Sequence, residues 1–174
     1  DGEQVPGAAL TKNEKIEMQE AVFSLFYLDL FDKPQFEEVV KSAFEVLEEF
    51  GREKECLKWL CNQLKETDLK ASLNLARLLG KIGASSIPYL MDLYKKEKNS
   101  YIRSMALHSL SKIKDKEVLN FLEVAINACK SEDDELRDTG ARTLGKFFES
   151  FKKEDFKEKD IEDSFNLLCK LTGD

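Results

Sequence analysis

His108 is the sole histidine among 174 residues, and the stretch around it supplies no nucleophile, base and orienting carboxylate in the pattern of a catalytic triad. No catalytic residue is assigned and the chain reads as a non-enzyme. Four cysteines, Cys56, Cys61, Cys129 and Cys169, lack the paired spacing of a zinc site, and a helix would point Cys56 and Cys61 in different directions. They read as buried free thiols, which fits a reducing compartment. The acidic run Glu132-Asp133-Asp134-Glu135 has neither the glycine nor the alternating ligands of a calcium loop, so it reads as charge gathered at a helix N-terminus. Gly80 and Gly83 fall at a helix end, which makes Gly83 a helix terminator and excludes a phosphate-binding fingerprint. No metal and no cofactor is expected.

The side chains that form a pattern are cationic. Taking Leu79, Leu110 and Leu144 as anchors, Arg77, His108 and Arg142 stand two positions before them, and Lys81, Lys112 and Lys146 two positions after. A four-residue separation puts each Arg or His with its Lys on one helix face. Stacking of the three helices would assemble a basic double row. A solvated polar face explains the same residues, but their recurrence within an acidic chain favours a binding surface.

Such a row needs helices in register, and the sequence supplies them as an internal repeat. Asp68–Ile82, Asn99–Ile113 and Asp133–Phe147 align without gaps, and a weaker copy, Phe36–Phe50, carries Leu47 and reverses the row's sign with Glu45 and Glu49. Asp68, Asn99 and Asp133 are N-cap candidates, whereas the weak copy starts near Asp32 with Pro34 in its first turn. The buried stripes are predicted to be Ala71, Leu75, Ala76, Leu79 and Ile82; Ile102, Ala106, Leu107, Leu110 and Ile113; and Leu136, Gly140, Ala141, Leu144 and Phe147. Cys56–Leu64, Ile87–Tyr94 and Val118–Ile126 read as the other helices of the pairs. Neither helix of a pair covers its apolar face alone, so the pairs must stack on one another.

Ile102-Arg103, Ala106-Leu107 and Leu110, and again Leu136-Arg137, Gly140-Ala141 and Leu144-Gly145, resemble the second helix of a HEAT or HEAT-like repeat; Ile87-Pro88 with Leu90 and Leu93 resembles its first helix. The likeness covers roughly residues 33–148 and departs from the pattern at Ser72 and Val40, where arginine is usual. It implies an all-α fold, a right-handed α-α superhelix or HEAT-like solenoid of about five helix pairs, whose second helices line a concave surface. It also implies that Arg103 and Arg137 form an inter-repeat ladder with carboxylates. Trp59, Tyr89 and Tyr94 read as core aromatics.

At the ends, residues 1–10 read as a flexible tail and 11–174 as one helical-repeat domain. Lys12–Phe31 is predicted to be a capping helix presenting Ile16, Val22, Phe23, Phe26 and Leu30, and a last helix would cap the other end with Ile161, Phe165, Leu168 and Cys169.

The net charge of −7 argues against broad attraction to nucleic acid or anionic membranes, yet residues 68–148 hold 14 basic and 11 acidic side chains. The expected partner is therefore a protein with an acidic helix or tail, held by a scaffold or adaptor. Nucleic acid ranks second, because few aromatics interleave with the row, and an enzyme's accessory subunit or a HEAT-like lyase third. The longest apolar run, Ala21–Phe31, is too short to span a bilayer and contains Asp29. The thiols favour the cytoplasm, while the start at Asp1 without Met leaves an exported or anchored precursor open.

Overall fold

The computed structural model describes residues 9–28, 30 and 33–173. The predicted start near Asp32, the end of the capping helix at Phe31 and most of the 1–10 tail lie outside those residues. The α-helices are α1 (Lys12–Phe23), α2 (Glu37–Gly51), α3 (Lys54–Asn62), α4 (Leu69–Ile82), α5 (Ile87–Lys96), α6 (Ser100–Leu110), α7 (Leu122–Ala128), α8 (Asp134–Ser150) and α9 (Glu158–Thr172), with no strand among the described residues.

Local chemistry sets where these helices begin. The carboxylate of Asp68 accepts from the Ala71 N–H, Asn99 from those of Tyr101 and Ile102, and Asp133 from that of Leu136, so each predicted cap satisfies an otherwise orphaned donor. Thr11 caps α1 in the same way and Glu14 returns the bond, a reciprocal pair. Gly83 ends α4 at φ 83°, a left-handed value that a residue with a Cβ resists. The predicted capping helix is shorter than expected. It passes at Ser24 into a 3-10 turn that ends at Tyr27, which folds Phe26 back against Phe23 with ring centroids 4.8 Å apart.

The helices form two layers. In one, α2 packs on α4, α4 on α6 and α6 on α8; in the other, α1 packs on α3 and α3 on α5, and α7 carries α9. The layers join through α1·α2, α2·α3, α5·α6 and α7·α8. The second helices of the repeats therefore share one side of the stack, and the described residues hold four pairs plus the unpaired α9. The Val118 segment opens as a 3-10 helix, Lys116–Phe121, leaving α7 short.

One apolar cluster runs through the layers. Leu47, Leu79, Leu110 and Leu144, the repeat anchors, are all buried in it, along with Leu75, Leu107, Leu136 and Phe147. Each such side chain contributes about 1.5–3 kcal/mol when removed from water. On α9 the prediction fails at Phe165, which is 67% exposed while Ser164 is buried; Leu168 packs against the core as expected, and Ile161 and Cys169 are half-buried.

Candidate binding face of the second helices

Arg77 and Lys81 lie within α4, and Arg142 and Lys146 within α8; all four are exposed. His108 and Lys112 are half-buried. Lys112 lies beyond the end of α6, but the bonds Lys112 N–H to Ser109 O and Ile113 N–H to Leu110 O, both 3.1 Å, continue the turn and keep it near His108. The sequence spacing thus brings the three Arg or His positions and the three Lys positions onto adjacent helices of one layer.

The charges are not equivalent. Burial, followed by the nearby cations of Lys112 and Arg142, lowers the His108 imidazole from 6.5 to about 4. At neutral pH His108 is an uncharged member of the row, which corrects the expectation of six positive side chains; its response to Arg142 also puts α6 and α8 within electrostatic reach of each other. Arg142 pairs with Asp138 at 2.9 Å, one turn earlier on α8, and Lys146 pairs with Glu149 at 2.5 Å. Arg77 donates to Asn74 Oδ1 at 3.1 Å. Lys81 leans toward α2 with Nζ 5.2 Å from the Phe44 ring centroid, a cation–π contact.

Backbone packing sets where the row's end lies. A Cβ placed on Gly80 would stand 2.6 Å from Lys112 Cβ and 2.8 Å from Lys112 O. Only a residue without a side chain lets α4 approach the Lys112 turn so closely. Gly140 serves similarly where α8 crosses the end of α7, since a Cβ there would meet Cys129 N at 2.7 Å.

Two arginines outside the row behave differently from the inferred ladder. Arg103 stacks its guanidinium 4.5 Å from the Tyr94 ring centroid, within its own repeat. Arg137 donates to the carbonyls of Ser131 and Glu132 and pairs with Asp134, tying together the start of its own helix. Arg137 pins its local turn and Arg103 packs onto α5, while the inter-repeat polar links include the Lys65–Glu97 ion pair and the Tyr101 hydroxyl, which donates to Ser72 Oγ at 3.2 Å. Ser72 is where the repeat pattern would have had arginine, and it also bonds Thr67 at 2.6 Å.

Cys56, Cys61 and Cys129 are buried free thiols, as predicted, and Cys169 is half-buried. Burial raises the first three, Cys129 to about 11, which keeps them protonated and unreactive. Among the described residues no cluster of three His, Cys, Asp or Glu side chains could hold a metal, and no helix is long and apolar enough to cross a membrane.

No curated protein matches the chain. The family described as HEAT repeats matches residues 27–111 and, overlapping them, 57–128, which together span more than half of the sequence. That span contains the α2, α4 and α6 anchors and the first helices packed behind them. The stacked pairs and the family match lead to one conclusion: the chain belongs to the HEAT-repeat family.

Proposed function

We propose that the chain is a non-catalytic protein-interaction scaffold that holds an acidic segment of a partner along the second-helix layer. HEAT repeats commonly serve as interaction scaffolds, and the stack here is built on one continuous apolar core, so little ordering of the receptor opposes binding. The observation that carries the reading is the convergence of Arg77, Lys81, Lys112, Arg142 and Lys146 on adjacent helices of one layer in a chain of net charge −7. A protein segment is favoured over nucleic acid because the cations are few, His108 is neutral, and Arg142 and Lys146 are already paired with carboxylates.

The test is the triple variant Lys81→Glu, Lys112→Glu, Lys146→Glu. Its helical content should match that of the parent by circular dichroism, since these side chains are exposed or half-buried and lie outside the core. Fluorescence anisotropy should show a labelled Asp/Glu-rich peptide binding the parent and losing about tenfold or more in affinity to the variant, as like charges meet. Unchanged peptide affinity would move the interface elsewhere. Tighter binding of duplex DNA than of the peptide, with a steep loss on adding salt, would replace the protein partner with nucleic acid.

A further inference from the structure

At one end of the second-helix layer the row runs into a concavity. The turn after α6 and the last residues of α8 enclose a pocket of about 440 Å³, lined by Ser111, Lys112, Lys114, Lys146, Glu149 and Ser150. Three lysines and one glutamate leave it a net charge of +2, on a chain whose net charge is −7. Glu149 is ionised, because Lys146 Nζ lies 2.5 Å from it and lowers its pKa. That contact holds the Lys146 ammonium at the rim. Ser111 donates to His108 O at 2.6 Å, which fixes the start of the turn, and Gly80 lets α4 brace the backbone of Lys112. The pocket wall is thus built by packing and does not depend on the ligand.

We propose that this pocket receives the phosphate of a phosphorylated serine or threonine in the acidic partner segment. The inference rests on the protein-scaffold reading and deepens it. A phosphomonoester carries about −1.5 to −2 charges and three strong acceptor oxygens on one centre, which suits a pocket lined by three lysines with a net charge of +2. A carboxylate brings one charge and satisfies such a site less fully. Nucleic acid spreads single charges along a backbone and calls for a continuous track of free cations. The row does not offer that track, since Arg142 is paired with Asp138 and His108 is neutral. Lysines bind phosphate as point charges without demanding one orientation, so the segment's direction is set by the rest of the row.

Lys114 separates the two readings, because it lines the pocket but is not a member of the repeating row, and it is exposed. The probes are three labelled peptides, Glu-Asp-Asp-Xaa-Asp-Glu-Glu, with serine, phosphoserine or glutamate at Xaa, measured by anisotropy against the full chain. The phosphoserine peptide should bind roughly tenfold tighter than either other peptide, in line with charge-assisted hydrogen bonds. Lys114→Gln should bring that ratio close to one, with an unchanged circular dichroism spectrum. Arg77→Gln should weaken all three peptides and preserve the ratio. Lys114→Ala repeats the measurement should Lys114→Gln fold poorly. Equal affinity for the serine and phosphoserine peptides would overturn the phosphate pocket and leave the scaffold reading standing. A full phosphoserine preference in both Lys114 variants would place the phosphate elsewhere and overturn the assignment. Failure of all three peptides to bind would overturn both readings.

Discussion

Two glycines in equivalent secondary structure should respond in opposite ways to one added methyl group. Gly80 and Gly145 both lie inside helices, α4 and α8, where alanine is favoured over glycine by about 1 kcal/mol. At Gly145 a Cβ would have no heavy atom within 4 Å, so Gly145→Ala should realise that gain in full. At Gly80 the new Cβ would lie 2.6 Å from Lys112 Cβ and 2.8 Å from its carbonyl oxygen. Those are a Cβ and a backbone atom, neither of which can swing aside as the end of a long side chain would. Overpacking of this kind costs about 1–3 kcal/mol. The gain and the cost leave Gly80→Ala between neutral and roughly 2 kcal/mol less stable than the parent. The two variants should therefore differ by about 1–3 kcal/mol, read as the difference in urea unfolding free energy at 222 nm. If Gly80→Ala were stabilised as much as Gly145→Ala, the close approach of α4 to the Lys112 turn would be refuted.

Two further outcomes are expected. Leu110→Ala should lose about 2–5 kcal/mol in chemical denaturation, because the side chain is buried between α6 and its neighbours and its removal leaves a cavity; a loss near zero would contradict that burial. His108 has a folded pKa near 4 against an ordinary 6.5, so the unfolded chain binds the extra proton first as the pH falls. Its stabilising contribution should be complete above pH 6.5, decline toward about pH 4 and level off below. Urea midpoints between pH 7.5 and 4 should fall further for the parent than for His108→Gln, and parallel curves would show the imidazole unperturbed.

The repeat was legible in the sequence because burial in a stacked helix repeats with the helix itself. Leu47, Leu79, Leu110 and Leu144 are buried at the spacing that identifies them, and the caps Asp68, Asn99 and Asp133 act on their own first turns. What escaped depends on neighbours distant in sequence. The partner of Arg103 is an aromatic face on the preceding helix, and Tyr101 reaches Ser72 across a repeat boundary, neither of which periodicity encodes. Phe165 obeys the apolar spacing of α9 yet is exposed, because the stripe it extends has no further helix to meet among the described residues. The basic row was visible as residue types, but the charge on His108 follows from the surroundings that folding creates. The lysine pocket was half visible: Lys112 and Lys146 belong to the row, while Lys114 and the serines join them only through the turn after α6.

The α6·α8 contact also gives the lysine pocket its shape. There α6 and α8 pack along one layer, with Leu107, Leu110, Leu136 and Leu144 of the two helices in the common apolar core. Because the lysine pocket is built across that contact, from the turn after α6 and the end of α8, the separation of its walls is a gauge of the core, and a substitution that shifts α6 against α8 resizes the pocket without touching a lysine.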